Sequence, residues 1–281
     1  MSFLERIAEC TATDLSRYRP FRVEDADLGL VRDDFAEVLG EFSEVFRVSK
    51  WSVDVTARLA APDQRTEAVG AVLRTLAGRG MIPGWRDEPY PVGTSFGAPA
   101  YFTMERAAVP LFGVRAYGVH LNGYVRGGGG MEMWIGRRAL DKPTAPGKLD
   151  QLVAGGQPAG ATLRDNLINE CAEEASLSQA LAAQAVPVGA VTYCAERAEG
   201  LRRDVLFNYD LELPADFRPV NADGEISEFY LWPIERVIET VRESDAFKFN
   251  CALVVIDFLV RHGLISPEHP DYVEILRGLH G

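Results

Sequence analysis

The chain has 281 residues, of which 47% are hydrophobic and 25% are charged, a composition typical of folded globular proteins. Its formal net charge is −12, and nonspecific nucleic-acid binding requires a basic surface, so we expect no nucleic-acid partner. Residues 1–6 show neither a basic region nor a long apolar run, and the apolar run at 251–260 is too short to span a bilayer. These features predict a cytoplasmic protein with no membrane partner.

The first part of the chain predicts a small α+β domain. Its apolar periodicity predicts helices at 2–13 and 64–79 and short strands at 21–23, 29–31 and 46–48. A stretch rich in proline and glycine at 89–99 is the best candidate for a domain boundary. We therefore expect an N-terminal extension domain at 1–105 and a second domain at 106–281.

The second domain alternates strands and helices. The glycine run at 127–130 is interpreted as a hairpin loop, because a phosphate-binding loop would continue into Lys-Ser/Thr and a helix. Strands are predicted at 116–125, 131–137, 149–154, 186–194, 205–213 and 225–232, and helices at 233–241 and 246–261. This order, with one further helix after the strand at 149–154, predicts an α/β/α sandwich with a mixed sheet.

Three carboxylates follow a glycine turn in the second domain. Glu170, Glu173 and Glu174 fall within roughly a third of the circumference of a helix that begins after Gly155 and Gly156. No Lys or Arg lies three or four residues from any of them, although like charges at this spacing are destabilising. A divalent cation is the simplest counter-charge, and clustered oxygen ligands suit Mg²⁺ or Mn²⁺. The alternative is an acidic, solvent-exposed face.

The spacing of these residues resembles the signature of the Nudix hydrolase family, in which Arg-Glu-apolar-x-Glu-Glu-x-Gly-apolar follows a glycine turn. Glu170, Glu173 and Glu174 then occupy metal-ligand positions, and the resemblance implies a further ligand from the Gly155 carbonyl. Three residues depart from the pattern, namely Ala161 for an outlying Glu, Asn169 for the Arg and Ser176 for the closing Gly. Because Gly is preferred at such a helix end, Ser176 predicts looser capping.

Motifs outside this signature resemble a narrower group, found in plant Nudix proteins and in the Nudix domain fused to fungal thiamin pyrophosphokinase. They lie at 84–88, 117–124, 133–138, 146–150 and 153–156. The resemblance implies a Nudix-type sandwich, preceded by an extension domain, that hydrolyses a small diphosphate, namely thiamin diphosphate or its oxidised or damaged analogues. A nucleotide diphosphate and a non-catalytic ligand-binding module remain as alternatives. A homodimer is left open.

Such a reaction requires a base that accepts the proton of a water molecule. Glu170 is one candidate, with Glu174 beside it as a second catalytic carboxylate. Glu225 and Glu228 open a late strand, and the spacing before the Trp-Pro pair at 232–233 favours Glu228.

Positive charge for the phosphates is expected from Arg137 and Lys148. Adjacent strand residues point to opposite faces, so only one of Arg137 and Arg138 can face the site, and we prefer Arg137. His120 lies among apolar residues and is interpreted as an interior histidine. The N-terminal domain is expected to contribute a wall of the substrate pocket, with Trp85 and Arg86 as its candidate residues, and a structural packing role is favoured for Trp85.

Overall fold

A computed structural model describes residues 2–142 and 144–280. The helices are α1 (Phe3–Thr11), α2 (Asp33–Leu39), α3 (Pro62–Gly78), α4 (Val109–Phe112), α5 (Leu163–Ala175), α6 (Gln179–Ala182), α7 (Ile234–Glu243), α8 (Phe249–Arg261) and α9 (Tyr272–His280), with a 3-10 turn at Arg106–Ala108. No helix within the described residues is long and apolar enough to cross a membrane.

Within the part of the chain that the structure describes, the strands form three sheets. They are β1 (Tyr18–Val23), β2 (Ala26–Arg32), β3 (Phe46–Val48), β4 (Val53–Val55), β5 (Pro89–Val92), β6 (Phe102–Glu105), β7 (Arg115–Gly127), β8 (Gly130–Arg138), β9 (Leu149–Asp150), β10 (Val153–Gly156), β11 (Val186–Arg197), β12 (Gly200–Glu212) and β13 (Ile226–Pro233).

The N-terminal unit contains a four-stranded sheet in the order β2-β1-β4-β3 and the separate hairpin β5-β6. Its core is rich in aromatic residues, and Phe21 contacts Phe46, Phe102 and Phe112 at ring-centroid distances of 5.0 to 6.5 Å. Phe112 and Val114 belong to this core although both follow residue 105. The core of the unit thus continues beyond the predicted boundary at 105/106.

The second unit is built on a seven-stranded mixed sheet with the main order β11-β12-β7-β8-β13. β12 runs parallel to β7, whereas β8 and β10 run antiparallel to it. Leu167 and Cys171 of α5 pack on one face of the sheet, and α8 packs on the other face with all of its residues from Asn250 to Leu259 buried. The predicted α/β/α sandwich with a mixed sheet is confirmed, and residues 127–130 form the predicted hairpin connection.

The first helix does not pack in the N-terminal unit. A capping box between Ser2 and Glu5 begins α1, and its apolar residues Phe3, Ile7 and Cys10 are buried in the same cluster as α8 and α9. The prediction that residues 1–105 form one unit therefore needs correction for α1, which belongs to the core of the second unit. The helix α9 has no counterpart among the predicted elements.

Candidate functional site

The acidic helix α5 is fixed at both ends. Thr162 caps its start by accepting a hydrogen bond from the backbone N–H of Asp165 at 3.1 Å. At its end Ser176 adopts a left-handed conformation with φ of 50°, and its hydroxyl donates to the carbonyl of Val220 at 2.7 Å. This side-chain bond offsets part of the strain that a non-glycine residue meets there. The helix end is therefore tied to a neighbouring loop, which the sequence did not predict.

The two glycines before α5 leave room for two charged side chains. A Cβ on Gly155 would lie 2.0 Å from Cδ of Glu170, and a Cβ on Gly156 would lie 1.7 Å from Nη2 of Arg106. Since neighbouring strand residues point to opposite faces, Glu170 and Arg106 lie on opposite faces of β10. Any side chain at either position would displace one of these charged groups.

Glu174 is the most deeply buried carboxylate of the helix, with 3% of its surface exposed. It accepts a hydrogen bond from the backbone N–H of Ala154 at 2.8 Å. Burial raises its pKa well above the ordinary value. Burial, together with the charges of Glu173 and Glu225, raises the pKa of Glu170 to about 7. In the metal-free protein, neither carboxylate therefore has enough positive charge nearby to keep its pKa at the ordinary value.

Two further carboxylates reach this helix from the loop before β13. The loop is docked on the end of α5 by backbone hydrogen bonds, from Val220 to Ala175 at 3.2 Å and from Ala222 to Glu173 at 3.1 Å. As a result, oxygens of Glu174, Asp223 and Glu225 lie within 4.8 Å of one another. Lys142 forms an ion pair of 2.5 Å with Glu225.

The predicted site residues on the sheet edge lie elsewhere. Arg137 is exposed and donates to the hydroxyl of Tyr230 at 2.9 Å, and that hydroxyl donates to Glu228. A register shift between Ile226 and Glu228 places Glu228 beside Arg137 rather than beside the acidic helix. The structure thus brings Glu225, and not Glu228, to Glu174.

The expected phosphate-binding cations also need correction. Arg138, the neighbour that we did not prefer, is buried in the cavity wall and donates to Asp150 at 2.9 Å, whereas Arg137 does not line the cavity. Lys148 is directed to Asp245, with 2.9 Å between Nζ and Oδ2. The third glutamate of the helix, Glu173, has an exposed side chain, so it lies at the rim of the acidic group.

A cavity of about 420 Å³ connects these groups with the N-terminal unit. Its wall includes the carboxylates of Glu170, Glu174 and Glu225 together with the guanidinium groups of Arg86 and Arg106. This volume lies in the range of small-molecule sites, which often form between domains. The N-terminal unit thus contributes to the wall of the cavity, and Arg86 is one of the residues that line it.

The floor of the cavity is a buried polar network. His120 is 4% exposed, and its Nδ1 lies 2.8 Å from Oε1 of Gln151. Burial lowers the pKa of His120 to about 4, so it is a neutral interior residue, as expected. Cys251 donates to Asp150 at 2.6 Å, and Asp150 also pairs with Arg138. These partners satisfy the group internally, so it has the character of a structural network.

Aromatic side chains lie at one side of the cavity. Tyr117 lines it, and the ring of Tyr117 lies parallel to Phe207 with 6.3 Å between centroids. Phe96 of the N-terminal unit contacts both rings and is 46% exposed. This cluster offers an apolar surface for a planar ring next to the charged groups.

The donor set fits a divalent cation of the Mg²⁺ or Mn²⁺ type. Its members are carboxylate oxygens, which these hard cations prefer, and two of the carboxylates have raised pKa values that a bound cation would lower. Asp223 and Arg106 were missed by sequence reasoning. Asp223 lies 49 positions after Glu174, and Arg106 lies 50 positions before Gly156, the residue it contacts, so no local spacing signals either contact.

Comparison with known proteins identifies relatives along the whole chain. Nudix hydrolase 24, chloroplastic, of Arabidopsis thaliana is 47% identical over 281 residues, covering 99% of this chain and 77% of that protein. Nudix hydrolase 20, chloroplastic, of the same plant is 45% identical over 288 residues with the same coverage.

A family model described as a domain of unknown function, DUF4743, matches residues 2–116. The solved structure of the Nudix domain of Shewanella oneidensis NrtR complexed with ADP ribose is 12% identical, with a TM-score of 0.42, and covers 54% of this chain and 90% of that chain.

The prediction of a cytoplasmic protein is contradicted by the two plant relatives, since both are named chloroplastic. The predicted resemblance to plant Nudix proteins is confirmed by the same two matches. The part of the prediction that concerns fungal thiamin pyrophosphokinase fusions stays a prediction. With two relatives above 44% identity across nearly its full length, and with the acidic helix, glycine turn and sandwich in place, the chain is an enzyme of the Nudix hydrolase family.

Proposed function

We propose that this Nudix hydrolase is a Mg²⁺- or Mn²⁺-dependent diphosphatase that converts thiamin diphosphate, or an oxidised or damaged analogue, to the monophosphate and phosphate. The observation that supports a metal-dependent reaction is the convergence of Glu170, Glu174 and Glu225 on one wall of the cavity. Chains of the family act on phosphoanhydride bonds, and the choice of thiamin rests on the motifs at 117–124, 133–138 and 146–150.

The carboxylates of Glu170, Glu174 and Glu225 would hold the cation, and Glu173 and Asp223 would complete its surroundings from the rim. The expected ligand from the Gly155 carbonyl needs correction, because this carbonyl faces β7 in the ladder, whereas the neighbouring groups of Ala154 and Gly156 bond to α5. When bound, such a cation neutralises phosphate charge and favours ionisation of a coordinated water. Glu174 is fixed by the N–H of Ala154, so its position is set before any ligand arrives.

Glu170 is proposed as the base that accepts the proton of the attacking water. It lines the cavity together with Glu174 and Glu225, so it is placed to accept a proton from a water bound at the same site. Glu225 is proposed in place of Glu228 as the carboxylate from outside the helix, because Glu225 lines the cavity and Glu228 pairs with Tyr230.

Tyr117, which lines the cavity and is held by contacts with Phe96 and Phe207, supports a substrate with a planar heteroaromatic part. A ring stacked on Tyr117 would place its attached diphosphate toward the charged wall of the same cavity. Thiamin diphosphate fits this arrangement, and a nucleotide is the alternative because it also joins a heteroaromatic ring to a diphosphate.

The test is a comparison of kcat/KM with Mg²⁺ and with Mn²⁺ for thiamin, oxothiamin and oxythiamin diphosphates against nucleoside diphosphates and triphosphates. We expect a thiamin-type diphosphate to give the highest value and the monophosphate as product. A nucleotide that leads by a wide margin would overturn the thiamin assignment. Ligand binding without phosphate release across the whole panel would instead indicate the non-catalytic module.

A further inference from the structure

The N-terminal unit presents one guanidinium directly to the glycine turn of the acidic site. Arg106 lies against the Cα of Gly156, where a Cβ would come within 1.7 Å of Nη2. Its two hydrogen bonds to the carboxylate of Glu88, at 2.7 and 2.8 Å, both use Nη1. The Nη2 group is therefore the part of the fork that meets the turn and the cavity.

A buried carboxylate holds this arrangement in place. Glu105, 8% exposed, accepts hydrogen bonds from the backbone N–H groups of Arg86 at 3.0 Å, Glu88 at 3.2 Å and Ala107 at 3.1 Å. The backbone N–H of Arg106 in turn donates to the carbonyl of Glu88 at 2.9 Å. The segment that carries Glu88 is thereby joined to the turn that carries Arg106, so the guanidinium is positioned before a ligand binds.

The strand β10 separates two chemically different faces. Glu170 fills the space beside Gly155 on one face, and Arg106 fills the space beside Gly156 on the other. Among the strands of the described residues, β10 pairs with β7 alone, and its other edge is bonded to α5, from Ala154 to Glu174 and from Asn166 to the carbonyl of Gly156. Glu170 and Arg106 both line the cavity beside the glycine turn, so a diphosphate bound across the turn would meet the carboxylate with one phosphate and the guanidinium with the other.

We propose that Arg106 is a substrate-binding residue, supplied by the N-terminal unit, that holds a phosphate group of the diphosphate through Nη2 and Nε. The proposal rests on the proposed diphosphatase function. A guanidinium fork matches phosphate oxygens in a way that a lysine ammonium does not. This role would give the N-terminal unit a direct part in substrate binding. The position of the guanidinium depends on Gly156 having no side chain.

The first test measures binding without turnover. Methylenediphosphonate has a P–C–P bridge that cannot be hydrolysed, and its affinity in the presence of Mn²⁺ is measured by calorimetry. We expect Arg106→Gln to weaken this binding by roughly 10- to 100-fold, as for loss of a hydrogen bond to a charged group. Arg106→Lys should recover only part of the loss.

A matched control distinguishes loss of phosphate binding from loss of an ion pair between the two units. Arg32 forms an ion pair of 2.9 Å with Glu196, which also joins the N-terminal unit to the second unit but lies outside the cavity. Arg32→Gln should leave methylenediphosphonate affinity unchanged. Equal effects of Arg32→Gln and Arg106→Gln, or no effect of either, would overturn the proposal, as would a wild-type protein that does not bind methylenediphosphonate.

A second variant, at Gly156, keeps the guanidinium of Arg106 but changes its position. Gly156→Ala should displace the guanidinium and raise KM with kcat largely retained, since a binding contact shared by ground and transition states affects KM alone. An unchanged KM in this variant would contradict the role of Arg106. If no diphosphate is hydrolysed but methylenediphosphonate still binds in an Arg106-dependent manner, the proposed function fails and the assignment of Arg106 stands.

Discussion

The carboxylate of Glu170 lies in the space that a side chain on Gly155 would occupy, with 2.0 Å between its Cδ and the position of a Cβ there. This contact explains why glycine stands at the turn without invoking an unusual backbone angle. The proposed metal ligand Glu170 thus lies against the turn because Gly155 has no side chain.

Gly155→Ala should displace the Glu170 carboxylate and lower kcat by at least about 100-fold, because small shifts of a catalytic group are costly. Gly128→Ala is the matched control, since a Cβ at Gly128 meets no atom within 4 Å. Steady-state kinetics on both variants, with circular dichroism to verify folding, checks the prediction. Normal kcat in a folded Gly155→Ala protein would contradict the placement of Glu170.

Glu225→Gln and Glu228→Gln form a second matched pair. We expect Glu225→Gln to reduce kcat/KM by roughly 10²- to 10⁴-fold, the range for loss of a group acting in acid–base or metal chemistry. Glu228→Gln should have a small effect, because Glu228 is exposed and pairs with Tyr230. The reverse order of the two effects would restore Glu228 as the outer carboxylate.

Glu174→Gln should abolish turnover and stabilise the metal-free protein. Burial raises the pKa of Glu174, so between its ordinary value of 4.5 and the raised value the native state keeps a proton that the unfolded state has lost. Stability of the wild type therefore falls as pH rises across this interval, and a neutral Gln removes the loss.

Thermal unfolding in EDTA and in MnCl₂ at pH 8 measures this effect. We expect a rise in Tm of roughly 2–4 °C for each kcal/mol gained in the metal-free Glu174→Gln protein. Addition of Mn²⁺ should raise the Tm of the wild type but not that of the variant. A lower Tm for Glu174→Gln in EDTA would show that its charge is compensated within the protein.

The C-terminal helix should loosen at alkaline pH. A hydrogen bond to Asp257, 3.3 Å from Nε2, raises the pKa of His280, whose Nδ1 lies 3.0 Å from the carbonyl of Ala190. The pKa of His280 is therefore higher in the folded protein than in the unfolded chain. The stability that its bond to Asp257 contributes is fully present below the ordinary value of 6.5 and is lost as pH rises through the folded pKa.

Hydrogen-exchange protection factors of α9, measured at pH 6 and at pH 8.5, check this dependence. Protection should decrease at the higher pH in the wild type and change less in His280→Gln. The same decrease in both proteins would assign the effect to other groups.

Local pattern was sufficient to predict α5, its acidic face and the β7–β8 hairpin, because each depends on residues close together in the chain. The choice between Glu225 and Glu228 was not predictable, since the register shift at the start of β13 changes the alternation on which the choice depended. Arg106 was not predictable because its contact with Gly156 arises only when the two units pack together.

The position of α1 has a consequence for how the chain reaches its native state. Phe3 and Ile7 are synthesised before α8 and α9, yet their burial requires both of these helices. Contacts between distant parts of a chain form slowly because loop closure costs entropy before it is rewarded. The second unit therefore cannot complete its core before α8 and α9 are synthesised, and a nascent chain must keep the apolar residues of α1 from other partners until these helices reach them.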